Sequence, residues 1–580
     1  MNKSKFNKFP VTEIKGKYIP FAGWEKIGGE LSRVNATGTI RILALECYPG
    51  VNEEDIKKKL LPLLPDHNLI ETKDCFKSPE EIKNMTAATL TDDPVFAFYA
   101  DYSIEQFFDE EKLKVIKAEL KKPISKPVLV LGTGAAVIAQ PDLIVYADMP
   151  RWEIQLRYRK NETGNLGLEN RNDKPSQKYK RGFFIDWRVC DKLKQKLFEH
   201  INFYLDTADE NNPKMVNGKA IREAVRQISM RPFELKPYFD PGPWGGEWMR
   251  EVCGLDKEAP NYAWCFNCVP EENSILLNIG GEIIEMPAIN VVFFRPEELL
   301  GEKVFSRYGA EFPIRFDFLD TINGGNLSLQ VHPTENYIKE KFSWPYTQDE
   351  SYYIVDCEPG AGVYLGVKDN IQKEDFERDL KKAETGSEIF PDEKYVAKWP
   401  VKKHDHFLIP GGTVHCSGAG CLVLEISSTP YIFTFKLWDW GRLGLDGLPR
   451  PISINHGMNV IDFGRTPDWT EKNLINRFET ISSDEGLEAE KTGLHELEPI
   501  ETVRYKFNRS FEIVTGDSVN VLNLVEGEQV IVEPSDKSFP PLTVNYAETF
   551  VVPASVKKYR ITPSSGSKNK SFILIRAYIR

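Results

Sequence analysis

Over the first 210 residues the hydrophobic positions form short unbroken runs, most followed by a stretch with helical spacing. TIRILALEC precedes VNEEDIKKKLLPLL, PVFAFYA precedes SIEQFFDEEKLKVIKAEL, and PVLVLGTGAAVIA and LIVYADMP precede RWEIQLRYR. Apolar runs of this length bounded by turn residues predict strands buried on both faces, and their alternation with helices predicts a parallel sheet covered by helices. From about residue 231 the rhythm changes to closely spaced strands punctuated by Gly and Pro, among them INVVFF, NLSLQVHP, ESYYIV, HFLIPGG, CLVLEI and FTFKLW. That pattern predicts a β-barrel or sandwich. After about residue 480 the acidic segment SSDEGLEAEKTGLHELEP reads as a linker into a further strand-rich stretch. The expected organisation is an α/β domain over 1–215, an all-β domain over 231–480 and a C-terminal β barrel-like domain over 500–580. The first junction falls near ADENNPKMVNG, where Asn, Pro and Gly cluster.

Composition narrows the function classes. At 580 residues the chain exceeds what one core usually organises, and 41% hydrophobic with 28% charged residues is ordinary for a folded globular protein. A net charge of −12 without a clustered Lys/Arg stripe argues against a nucleic-acid partner. The opening MNKSKFNKFPVTEIKGKY has no apolar leader region, and no stretch approaches 18 uninterrupted apolar residues, so the expectation is a cytoplasmic protein with no membrane partner. Nine scattered cysteines read as reduced structural thiols; Cys265 and Cys268 have metal-like spacing but no second pair to complete a zinc knuckle.

The chemistry-bearing residues gather in the middle of the chain. Strand alternation in NLSLQVHP puts Ser328, Gln330 and His332 on one face and Leu327, Leu329 and Val331 on the other. ESYYIV offers Glu350, and the Pro-Gly-Gly bend of IPGGTVHC delivers His415. Two imidazoles, a carboxylate and an amide form a mixed N/O set that suits Zn, Mn, Fe or Co with positions left open, whereas a closed structural site would prefer thiolates. His404 and His406, alternating onto one face just before the bend, are weaker candidates with surface or supporting roles. Glu425 in CLVLEI is an acid within an apolar strand, a tuned base or a salt-bridged core carboxylate.

The segments FELKPYFDPGPWGGEWMREVCGLD, EFPIRFDFLD, LSLQVHP, YTQDESYYIVDCEPGAGVYLGVK, HFLIPGGTVHCSGAGCLVLEI and WDWGRLGLDGLPRPI run in order from about 231 to 462. Together they resemble the type I phosphomannose isomerases of the cupin superfamily. The resemblance implies a jelly-roll cupin barrel with one zinc ion on Gln330, His332, Glu350 and His415. It implies interconversion of mannose 6-phosphate and fructose 6-phosphate, or of a related sugar pair, through an enediol. The pattern departs from the family at three cations. Asp317 stands where members usually carry a lysine, Thr347-Gln348-Asp349-Glu350 lacks a second, and Thr434-Phe435-Lys436 replaces an arginine. Lys436 is therefore the expected catalytic cation, with Glu425 as its acid/base companion and Ser328, Arg315 and Arg442 as substrate-binding residues.

Residues 1–215 resemble, faintly, nucleoside and nucleotide kinases in the order of LALECYPGVNEEDI and in DLIVYADMPRWEIQLRYR. No Gly-Lys-Ser/Thr follows Pro49-Gly50; the helix opens instead on Asn52, Glu53, Glu54 and Asp55, which repel phosphate. Gly132-Thr133-Gly134 also lacks a lysine. This domain is expected to be a kinase-like fold without ATP turnover, serving as scaffold, oligomerisation or regulatory module, and a homo-oligomer is allowed. The competing function is a non-catalytic sugar-binding scaffold; a third is another cupin enzyme, an epimerase or an iron-dependent oxygenase.

Overall fold

A computed structural model describes residues 5–36, 39–123, 126–428, 430–493, 495–564 and 571–580. The chain divides into two compact units: Val11–Ile228 with Pro270–Arg295, and Met1–Pro10 with Ser229–Val269 and Pro296–Arg580. Among the described residues no helix is long and apolar enough to cross a membrane.

The first unit is built on strands β1 (Ile42–Cys47), β2 (Asn68–Glu71), β3 (Val128–Gly132), β4 (Leu143–Asp148), β5 (Phe203–Asp206) and β6 (Lys214–Asn217), with the short Phe21–Ala22 strand at one edge. The order is β2-β3-β1-β4-β5-β6 and then Phe21–Ala22. The first five strands run parallel; β6 and the edge strand are antiparallel. Strands β1, β3 and β4 are buried along their whole length, which is why they read as unbroken apolar runs. PVFAFYA forms no regular strand.

Residues 270–295 belong to this unit, although they follow the ADENNPKMVNG junction by some fifty residues. They form the hairpin Ser274–Ile279 and Glu282–Pro287, and then a helix over Ile289–Phe294. INVVFF is thus helical, not extended. The reason is a buried polar network: Lys194 Nζ lies 2.8 Å from Asp148 Oδ1, and Asn290 donates to Asp148 Oδ2 at 2.9 Å while accepting from Lys194 at 3.2 Å. Satisfying a buried charge outweighs the weak helix propensity of a β-branched run.

The second unit holds two antiparallel sheets that carry the candidate site. Their strands are β7 (Tyr238–Asp240), β8 (Trp264–Cys268), β9 (Ile314–Asp320), β10 (Leu329–Val331), β11 (Glu350–Cys357), β12 (Gly362–Val367), β13 (Val396–Pro400), β14 (His406–Ile409), β15 (His415–Ser417), β16 (Cys421–Ser428) and β17 (Phe435–Trp438). One sheet has the order β14-β11-β16-β9-β8-β7 and the other β13-β12-β15-β10-β17. Beyond them, the segment read as an acidic linker is a β-hairpin, Glu479–Asp484 with Leu487–Gly493. It continues into a six-stranded sheet, accompanied by a four-stranded one. Their shared core includes Phe507, Leu522, Leu524, Val530, Phe550, Tyr559 and Phe572.

Candidate metal centre

The two sheets of the second unit each contribute to one cluster. Gln330 on β10, His332 just after it and His415 on β15 come from the five-stranded sheet, and Glu350 at the start of β11 comes from the six-stranded one. Gln330 and His415 are direct register partners. One ligand atom from each of His332, Glu350 and His415 lies within 4.8 Å of the others. His332 Nε2 is 3.1 Å from Glu350 Oε2, His415 Nε2 is 2.8 Å from Glu350 Oε1, and Gln330 Nε2 is 3.2 Å from His415 Nε2. All four side chains are buried.

The hydrogen bonds on the far side of each ring set the chemistry. His332 Nδ1 lies 3.1 Å from the Phe433 carbonyl and His415 Nδ1 lies 2.8 Å from the Thr413 carbonyl. A carbonyl only accepts, so each Nδ1 carries the proton, and in the neutral ring Nε2 presents a lone pair. Two lone pairs then face a carboxylate, with the Gln330 amide nitrogen the one donor placed at His415, and a cation among them relieves the clash of acceptors. In the metal-free protein a proton on His332 serves. Burial opposes the imidazolium of His332, but the Glu350 charge outweighs it and holds this pKa above the ordinary histidine value. Burial likewise opposes ionisation of Glu350, and the two imidazoles override it, holding the carboxyl far below the carboxylate range. A divalent metal answers the same demand without protons, and the mixed N/O donor set fits one.

The bend that delivers His415 is held from several sides. Gly411 donates to Asp349 Oδ1 at 2.8 Å and Gly412 to the His332 carbonyl at 2.8 Å. Arg465 donates to the Pro410 carbonyl at 2.7 Å and to the Thr413 hydroxyl. At Gly411 a side chain would meet the Pro333 carbonyl at 2.4 Å, and Gly412 has φ +88°, so the Pro-Gly-Gly sequence is a steric requirement here. Asp349 and Arg465 gave no sequence signal, because both act from outside any metal-ligand motif.

The remaining expected residues fall into three places. Asp317 and Glu425 are register partners on β9 and β16, and Tyr352 on β11 is the other neighbour of Glu425. Burial, reinforced by the Glu350 charge, pushes the Asp317 carboxyl up to about 8. Burial and then Asp317 push Glu425 well up too. Arg315 is buried, donates to the Ser428 carbonyl at 2.9 Å and lies 4.3 Å over the Tyr431 ring. Ser328 is buried one strand step before Gln330. Lys436 is the register partner of Gln330 on β17. Burial, with Arg450 beside it, brings its amine down to about 7. Arg442 and Arg450 both bind Asp439, at 2.7 Å each, forming a basic group beside Lys436 in which Arg450 and Asp439 had drawn no notice from sequence.

His404 and His406 do not join the cluster. His406 is buried against the Thr492 carbonyl, and burial brings its pKa down to about 3; His404 faces Glu526 at 3.6 Å. The nine cysteines are all free thiols, and Cys265 and Cys268 belong to no metal-ligating cluster among the described residues.

Comparison with known proteins finds one matching domain family and several relatives of this chain. Residues 23–230 match a family described as a domain of unknown function, DUF8485. The chain is similar to a probable mannose-6-phosphate isomerase of Bacillus subtilis, GmuF, with 26% identity over 262 residues, 44% of this chain and 77% of the relative. It is similar to the mannose-6-phosphate isomerase of Streptococcus mutans, with 26% identity over 246 residues, 41% of this chain and 72% of the relative. A crystal structure of the mannose 6-phosphate isomerase from Bacillus subtilis aligns with a TM-score of 0.49 and 20% identity, over 60% of this chain and all of that one.

Proposed function

We propose that the chain is a metal-dependent aldose–ketose isomerase that interconverts mannose 6-phosphate and fructose 6-phosphate, or a closely related sugar pair, through an enediol. The observation that carries this reading is the pair of Nδ1-tethered imidazoles whose Nε2 lone pairs converge on Glu350. Gln330, His332, Glu350 and His415 would hold one zinc ion. Bound there, the metal supplies a positive charge that stabilises a sugar oxygen as negative charge develops on it.

The chain's own groups account for the proton movements. Moving a proton between C1 and C2 needs a base that accepts it and an acid that returns it, with pKa values close to the working pH. Lys436, brought down to about 7, takes both protonation states near neutrality and serves as that exchanging group and as a cation toward the enediol. Glu425 and Asp317, whose pKa values are raised beside Glu350, can in their protonated forms donate hydrogen bonds to sugar hydroxyls, where ionised carboxylates could only accept them. Arg442 and Arg450, gathered on Asp439, restore the positive charge that a phosphate group needs. Ser328 and Arg315 complete the substrate contacts in this reading, within a cytoplasmic enzyme.

A second reading, a sugar-binding protein without turnover, draws on Asp317 standing where a lysine is expected. One assay separates the two: isomerisation of mannose 6-phosphate by zinc-loaded protein, beside unphosphorylated mannose and a chelated control. Chelator-sensitive turnover of the phosphate supports the isomerase; binding without turnover of either sugar removes it.

A further inference from the structure

The first unit contains a cavity of about 630 Å³, within the range of small-molecule sites. It opens on the loops that follow β1 and β3, at the carboxyl ends of the parallel strands. There the chain reverses its winding direction, since β1 is flanked by β3 on one side and β4 on the other. Such crevices are where open α/β sheets bind ligands.

At Thr133 on the cavity wall, and in the turn behind it, backbone amides that ordinarily attract an anion are already paired with the protein's own glutamates. In the Gly132-Thr133-Gly134 turn, Glu46 accepts from the Gly134 and Ala136 amides at 2.6 and 2.9 Å, and Glu53 accepts from the Thr133 amide. A side chain at Gly132 would meet the Thr72 hydroxyl at 2.2 Å and crowd both Glu53 oxygens, and its φ is +122°, so this position calls for glycine. Three of the four lining cations are engaged as well, and the fourth, Arg171, is exposed to solvent. Lys73 pairs with Glu71 at 2.9 Å and Lys77 donates to the Gln106 carbonyl at 2.7 Å. Arg157 holds Glu210 at 2.8 Å and the Gly50 and Thr207 carbonyls. Burial pushes Glu46 up to about 8 and Glu53 up to about 7, the sign expected where no surplus positive charge is present.

Four basic and five acidic side chains line the cavity, close to balance, so neither a strong anion nor a strong cation is favoured. What remains is a surface of amide, hydroxyl and carboxylate oxygens, such as Thr163 and Asn172, beside apolar patches from Phe76, Leu166 and Leu168. Oxygens of this kind bind hydroxyl groups, and apolar patches cover the C–H faces of a sugar ring. We propose that this cavity is a second ligand site that takes a neutral, hydroxyl-rich molecule of sugar chemistry.

The test is calorimetric titration of the full chain with mannose, fructose, glucose, mannose 6-phosphate and Mg·ATP. It is run on the wild type, on His332→Ala to disable the metal centre, and on Thr163→Trp to fill the cavity from a half-buried loop position. At least one neutral sugar should bind the wild type and His332→Ala equally, and Thr163→Trp should weaken it at least about tenfold. Leu168→Trp serves in place of Thr163→Trp if that variant melts early. The proposal is overturned if Mg·ATP or mannose 6-phosphate binds His332→Ala more tightly than any neutral sugar. It is also overturned if sugar binding disappears in His332→Ala, survives the filled cavity, or is absent at millimolar concentration. The readout is binding heat, so it stands whether or not the chain turns over mannose 6-phosphate.

Discussion

Glu350 in the second unit and Glu53 in the first are both glutamates drawn out of water, yet their acidities move in opposite directions. Glu350 faces two imidazoles and is held far below the carboxylate range; Glu53 faces an amide, Lys73 and further carboxylates, and burial carries it up to about 7. Burial alone raises both, so the sign of the outcome reports what each pocket was built to hold. In the function proposed above, the cluster of the second unit is the place for a cation. The glycine turn already has its amides paired with Glu46 and Glu53, and a phosphate arriving there would find those donors taken.

The sharpest way to break this comparison is to remove the cation hole. His332→Ala and Glu350→Gln should each weaken metal affinity more than about 100-fold, read by metal content after gel filtration, and should reduce isomerisation to background. Retained turnover in either variant would remove the metal from the mechanism. Next, Lys436→Met should lower kcat about 100-fold with metal content unchanged, and Lys436→Arg should recover part of the loss while shifting the pH profile upward. A metal content that falls along with kcat would make Lys436 a structural neighbour of Gln330. A smaller effect, about tenfold in metal affinity, is expected for Arg465→Met, because the bend carrying His415 loses its outer support.

The smallest effects concern pH and differ in sign between Glu350 and the two glutamates of the first unit. In chelated protein His332 titrates above its unfolded value, so its contribution is complete below about pH 6.5 and is lost as pH rises through the folded value. Glu350 titrates below its unfolded value, so its contribution is present above about pH 4.5 and fades as pH falls. The contribution of this pair to the metal-free protein should therefore be largest between those limits, and zinc should extend it upward by replacing the protons. In the first unit Glu46 and Glu53 bind protons more tightly when folded, so stability should decline as pH rises from about 4.5 to 8. Native-state hydrogen exchange at the Gly134 and Ala136 amides, corrected for intrinsic rates, follows that decline; protection that grows with pH would contradict it.

The cluster was legible in sequence because each member sits in or beside a short strand with clean polar and apolar alternation, or after a bend that only Pro-Gly-Gly can make. The parallel sheet of the first unit was legible for a similar reason, since fully buried strands must be apolar throughout. What escaped depended on distant partners. INVVFF is helical because Asn290 answers Lys194 and Asp148, which lie about a hundred and more residues away. The acidic stretch after 480 is a hairpin because Leu487–Gly493 pairs with Ile500–Phe507, although its outer strand is exposed along its whole length. Arg450 and Asp439 gain meaning only once β17 brings Lys436 opposite Gln330.

Both imidazoles are steered by main-chain carbonyls, those of Phe433 and Thr413, not by a carboxylate or hydroxyl side chain. Every residue type offers the same carbonyl, so mutations at either position leave the steering oxygen in place as long as the backbone path holds. A centre oriented in this way can lose most of its surrounding sequence identity over evolutionary drift without losing the aim of its ligands.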